Sequence, residues 1–235
     1  MELLLITIFS FVSALVTSVF GFGAGLVLTP LLGIMMPLTD ALGIASLVFL
    51  FTAGSKTLWY YRDINWQVYR PAFTLSLVGL LLGFVIISYI DVNLLETGYG
   101  VLLIYFAVNM LRNTDQTKAL LPKSSYPVFG GVLSVLMHSG GVFFFRYGQF
   151  FGLDRLQMVG TIAAIHFSMN IFKAGFFTGS GIVDVHYLYT LTPAYLAAII
   201  GTRIGRSVLK RYVNERMFSI GVASLLLVLT LKYLV

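Results

Sequence analysis

Lys56, Lys173, His138, His166, Asn109, Asn170 and Arg146 are strongly polar side chains set inside long apolar stretches of this 235-residue sequence. The nine carboxylates (Glu2, Asp40, Asp63, Asp91, Glu96, Asp115, Asp154, Asp184 and Glu215) instead fall at termini, connections or the edges of those stretches. Coupling to cations, or moving them, usually rests on acids at membrane depth, so the inventory points to an anionic guest. Two glycine breaks sharpen the point: GFGAGLVLTP at Gly21–Pro30, and Met137-His138-Ser139-Gly140-Gly141. Glycines clustered in this way interrupt a helix, and the freed backbone groups cannot be satisfied by lipid. A half-helix starting after Gly25 or Gly141 aims unpaired N–H groups and a positive dipole end inward, which suits a small oxyanion. Gly23, Gly25, Thr29, His138, Ser139, Gly140, Gly141 and Asn170 are the candidate contacts. The competing reading of the glycines is close helix packing.

The cations have alternatives of their own. Lys56 and Lys173 each stand near the end of an apolar span, where they either attract an anion at opposite mouths or snorkel to headgroups. His138 stands at the second break and could hold an anion or carry a proton. His166, Asn170 and Lys173 follow one another at helical spacing, so they share a face; that stripe serves either ligand contact or helix-to-helix hydrogen bonding. Arg146 is either turned to the guest or paired with Asp154. Ser139 beside His138 has no GxSxG-type elbow, which leaves an intramembrane hydrolase a minor alternative. With no metal cluster, Walker loop or dinucleotide fingerprint, the sequence gives no reason to expect a metal or cofactor.

These residues must be positioned by membrane helices. The chain is 58% hydrophobic and 10% charged, against about 25% charged for a soluble domain. It has no cysteine, hence no disulfide. The net charge of +6 could suit nucleic acid, but the basic residues cluster between spans, as positive-inside topology requires. No basic segment precedes Leu3, so a cleavable signal is not expected. Spans of roughly 20 residues are read at 42–61, 72–90, 94–111, 158–177, 186–204 and 217–235. A hairpin occupies 1–36 and a second one 128–153, and 113–125 forms a polar linker.

The halves can be laid on one another. Ala24-Gly25 falls on Gly140-Gly141 at a shift of 116, and Gly43 and Lys56 fall on Gly160 and Lys173 at 117. Pro71-Ala72-Phe73, Gly79 and Gly83 fall on Pro193-Ala194-Tyr195, Gly201 and Gly205 at 122. Val92-Asn93 and Gly100 fall on Val213-Asn214 and Gly221 at 121. Basic residues occupy the connection after the first span in one half, but Arg203–Arg216 in the other, so the copies are inserted in opposite orientations. The expected fold is an all-α polytopic membrane protein of two inverted-topology repeats. Each repeat has a Gly-broken re-entrant or short helix hairpin plus three transmembrane helices, with 1–112 and 126–235 as the two repeats. Linker 113–125 and segment 203–216 are expected to be cytoplasmic.

The sequence resembles the TauE/SafE family of sulfite-exporter-like permeases over nearly its whole length. The resemblance is carried by GFGAGLVLTPLL at Gly21–Leu32, the Gly43–Lys56 span, Gly130-Gly131 with Ser139-Gly140-Gly141, the Gly160–Lys173 span and Gly201–Gly205. Relatives often carry a proline just after the second tip, where this chain has Val142 to Arg146. The resemblance implies export or uptake of small sulfur-containing anions such as sulfite, sulfonates or sulfoacetate across a bacterial or archaeal inner membrane. Together these readings describe a non-enzymatic secondary transporter working by alternating access, with the bilayer and a small anion as its partners and room for proton coupling and a homodimer. An uncoupled anion channel is the main alternative; a membrane anchor subunit is a weaker one.

Overall fold

Apolar sequence of this kind must satisfy its backbone within each segment, and in a bilayer only helices or closed barrels do so. The computed structural model describes residues 1–20, 24–112, 122–212 and 215–234, and its regular elements are all helical. Gly23, most of the linker 113–125, and residues 213 and 214 lie outside the described residues. In chain order the helices are α1 (Glu2–Phe20), α2 (Ala24–Gly33), α3 (Leu38–Trp59), α4 (Trp66–Tyr89), α5 (Val92–Arg112) and α6 (Ser125–Leu136). They continue with α7 (Gly141–Gln149), α8 (Arg155–Gly179), α9 (Tyr187–Thr190), α10 (Thr192–Tyr212) and α11 (Glu215–Leu234).

Helices α3, α4 and the Val92–Asn109 part of α5 are long and apolar enough to cross a membrane. Large apolar side chains stand exposed on their outer faces and on α8 and α10, among them Leu81, Val85, Val101, Phe172 and Ile200. Water would penalise such a surface; acyl chains would not. Helices α6 and α7 have 12 and 9 residues. At 1.5 Å per residue that is roughly 18 and 14 Å, short of a hydrocarbon core of about 30 Å.

One boundary departs from expectation. The segment read as a span at 186–204 is a one-turn α9 followed by α10, which runs on to Tyr212. Pro193 sits in the first turn of α10, where a missing N–H costs nothing, and nothing in Arg203–Tyr212 breaks a helix. Basic residues mark where apolar character ends, not where helix ends.

The main packing pairs are α1 with α10, α4 with α6, α3 with α8 and α5 with α11, while α2 leans on α3 and α1 and α7 on α6 and α8. Close approach is set by glycine. A Cβ on Gly79 of α4 would overlap the Val128 carbonyl of α6, and one on Gly201 of α10 would lie 2.7 Å from the Phe11 carbonyl of α1. Backbone cannot rotate away from such a contact. Replacing Gly79 by alanine should therefore cost about 1–3 kcal/mol through overpacking. Gly175→Ala, where no atom lies within 4 Å, should be neutral or stabilising by up to about 1 kcal/mol through helix propensity. Thermal unfolding of the two variants in detergent checks this, and equal midpoints would contradict it.

Hydroxyls at depth are satisfied locally. Ser46, Thr52, Thr202 and Thr230 each donate to the carbonyl four residues back, the usual resolution for Ser and Thr inside helices.

Candidate functional site

The second break is a sharp corner. Helix α6 stops at Met137, whose N–H donates to Leu133 O at 3.0 Å, and Ser139 N donates to the same carbonyl at 3.2 Å. Between them His138 has φ +50°, the one positive φ outside glycine among the described residues. Histidine is one of the few residues enriched in that region, and here its ring is held from both sides. Nδ1 lies 3.3 Å from Thr29 Oγ1 of α2, and Nε2 lies 3.1 Å from Ser46 Oγ of α3. The Phe49 ring meets it at a T-shaped angle with centroids 5.2 Å apart. Since Ser46 Oγ donates its proton to Leu42 O at 2.9 Å, it accepts from Nε2–H. That leaves Nδ1 of the neutral ring to accept from the Thr29 hydroxyl.

The first break lies against this corner. A Cβ on Gly25 would overlap His138 Cβ and its carbonyl oxygen, so only glycine lets the two tips touch. Tyr99 of α5, fully buried, donates to the Gly25 carbonyl at 3.4 Å. The two breaks thus meet near the centre of the bundle, joined by His138.

On the other side of the corner stands Lys173. Its ammonium, 1% exposed, donates to the Ser134 carbonyl and to Ser134 Oγ, both at 3.2 Å. Gly140 packs on Ser134: a Cβ there would lie 3.0 Å from the Ser134 Cβ. Beside Gly140, Ser139 Oγ is buried without a partner, as is Oδ1 of Asn170, one turn before Lys173 on α8. The N–H groups of Gly140, Gly141 and Val142 also have no acceptor among the described residues. Asp40, Asp63 and Glu96 are half-buried, and Glu2, Asp91, Asp154 and Asp184 are exposed. Among the described residues, the buried ammonium therefore has only neutral partners. An unpaired buried charge costs several kcal/mol, and each orphaned polar atom about 1–3 kcal/mol. A guest that carries negative charge and accepts hydrogen bonds would relieve the ammonium, the free N–H groups and the Ser139 hydroxyl together, whereas Asn170 Oδ1, an acceptor, calls for a donor.

The remaining expected residues sort by distance from this centre. His166 lies on α8 one turn before Asn170, edge-on to Phe144 of α7 with centroids 5.3 Å apart. Lys56 is 9% exposed in the last turn of α3, and its side chain makes no hydrogen bond or ion pair among the described residues. Arg146 stands apart from the centre. Its Nη1 donates to Gln149 Oε1 at 2.9 Å and its guanidinium lies over the Phe150 ring. The alternative of a pair with Asp154 is not what forms: that carboxylate caps α8, its Oδ1 accepting from Leu156 N and Gln157 N at 2.8 and 2.9 Å. Ser46, Ser134, Phe49 and Tyr99 are part of the centre without having been expected there. Ser46 and Phe49, three residues apart on α3, and Ser134, one turn before His138, carried the signal of helical spacing. No cluster of three or more His, Cys, Asp or Glu forms among the described residues.

An all-helical bundle with lipid-suited outer faces and a polar centre at helix breaks describes a membrane-embedded protein of the transporter kind. The sequence model of the family described as sulfite exporter TauE/SafE matches residues 6–233, and the chain belongs to that family. No curated protein and no solved structure matches it.

Proposed function

We propose that this protein is a secondary transporter of a small sulfur oxyanion, such as sulfite, a sulfonate or a sulfoacetate-like anion, in a bacterial or archaeal inner membrane. The observation that carries this is Lys173: a buried ammonium with neutral partners, beside the free N–H groups at the start of α7. In this reading the anion sits against Gly140, Gly141 and Val142 N–H, the Ser139 hydroxyl, the Asn170 amide and Lys173. His138, Thr29 and Gly25 join that site to the opposite half. Lys56 keeps its role as a charge near one mouth, whereas Lys173 belongs to the site itself.

Alternating access by inverted repeats draws support from the packing. Exchanging α1–α5 for α6–α11 turns α1 on α10 into α6 on α4, and maps α3 on α8 and α5 on α11 onto themselves. The matched glycines behave alike: Gly43 lies against Val183 just after α8, and Gly160 against Tyr60 just after α3. Linker 113–125 and segment 203–216 face the cytoplasm by the positive-inside rule. Burial of the centre favours an occluded carrier over an open anion channel.

The test is flux in proteoliposomes with sulfite, sulfate, taurine and sulfoacetate. Saturable movement of at least one sulfur oxyanion is expected. Accumulation uphill under an imposed proton gradient would mark the coupled carrier, and its absence the uncoupled channel. If no member of the panel moves with folded protein, the substrate class is wrong.

A further inference from the structure

At the base of the second hairpin, away from the tip, two cations gather on one aromatic ring. Lys123 Nζ lies 5.5 Å from the Phe150 centroid and the Arg146 guanidinium carbon 5.4 Å from it. The base is closed by Tyr126, whose ring is edge-on to Phe150 at 5.2 Å, so the start of α6 and the end of α7 are side by side there. Lys123 and Gln149 are exposed and Phe150 is half-buried, which puts the cluster at the rim of the bundle, next to the linker.

Among the described residues, no acid balances the charges there. Arg146 spends Nη1 on the neutral Gln149 amide, while Nη2 is buried with no partner. Asp154, the acid nearest to Arg146 in sequence, accepts through Oδ1 from Leu156 N and Gln157 N at the first turn of α8 and makes no ion pair with Arg146. Among the described residues no carboxylate pairs with either cation. A position near the C-terminal end of α7 favours a positive charge, but does not supply an acceptor for a buried N–H. An oxyanion supplies both: the guanidinium fork donates in pairs to planar or tetrahedral oxygens, and the anion offsets the repulsion between the two cations.

We infer that Arg146 and Lys123, held on Phe150, form a second oxyanion site at the mouth of the hairpin, where the transported anion is captured before it reaches Lys173. This rests on the transport reading above. An anionic lipid headgroup carries the same chemistry, so the test separates the two sources. Initial flux rates against sulfite concentration are measured in vesicles of phosphatidylcholine alone, for wild type, Arg146→Gln and Lys123→Gln. The expected result is a KM raised about tenfold by Arg146→Gln and about threefold by Lys123→Gln, with kcat little changed, as loss of a charge-assisted contact outside the central site requires. Lys123 is exposed, so its variant reports even where Arg146→Gln folds poorly. Wild-type flux with unchanged KM in Lys123→Gln and in folded Arg146→Gln overturns the inference and leaves the transport reading standing. A difference from wild type that emerges only when phosphatidylglycerol is added assigns the cluster to a headgroup and also overturns it. Absence of flux in wild type removes the transport reading itself.

Discussion

Lys173→Met is expected to abolish anion flux while leaving the protein folded. The ammonium is buried and, among the described residues, bonded only to the carbonyl and hydroxyl of Ser134, so an anion bound beside it would supply the charged partner that these residues do not. Removing one member of a buried ion pair costs about 3–5 kcal/mol, and at about 1.4 kcal/mol per decade that is a loss of roughly 100-fold or more in affinity for the anion. Stability should respond differently. Methionine fills nearly the same volume with a flexible apolar chain, and the resting protein no longer buries an uncompensated charge. The loss of two hydrogen bonds at Ser134 works against this by about 1–3 kcal/mol, so the net change in unfolding should be small. Flux assays and thermal unfolding on the same preparation decide it. A variant that loses both together would make Lys173 a structural residue.

Gly25→Leu is expected to have the largest effect on the fold. Even the first carbon of the new side chain would overlap His138 Cβ and its carbonyl oxygen, and would lie 2.9 Å from the carbonyl carbon. Those atoms belong to the backbone corner that ends α6, and the His138 ring is pinned by Thr29 and Ser46. No rotamer resolves this; either α2 lifts away or the second tip opens. Overpacking a core usually costs about 1–3 kcal/mol, and a contact between two backbones should exceed that range. Separation of the tips would also remove the hydrogen bond between Thr29 and His138, and with it the alignment of the site. Loss of flux with a lowered unfolding midpoint is the expected pair of results. A Gly25→Leu protein with wild-type stability would mean that the tips do not touch.

Much of this was legible before the structure. Composition fixes the membrane class, the placement of the nine carboxylates argues for an anion, and the glycine clusters mark both breaks. His166, Asn170 and Lys173 do share one face of α8, as their spacing requires. Other features depend on tertiary contact. Nothing near Lys56 or Lys173 in sequence tells that Lys173 alone reaches the carbonyl and hydroxyl of Ser134, 39 residues away. Ser46 is a small polar residue in an apolar helix, and only the approach of α6 makes it a partner of His138. Asp154 and Gln157 stand at the spacing of a capping box, which is what they form, whereas the contacts of Arg146 with Gln149 and Phe150 follow from the end of α7. Helix α10 runs past the apolar stretch to Tyr212 because Arg and Lys are good helix formers, so the end of apolar character does not mark the end of helix.

The most direct test of the central claim is equilibrium binding of radiolabelled sulfite to the purified protein in detergent. Saturable binding at one site of the wild type, retained in Lys56→Met and lost in Lys173→Met, is the predicted result. Sulfite binding that survives unchanged in folded Lys173→Met would contradict the account, because the buried ammonium at the second tip would then have no part in holding the anion.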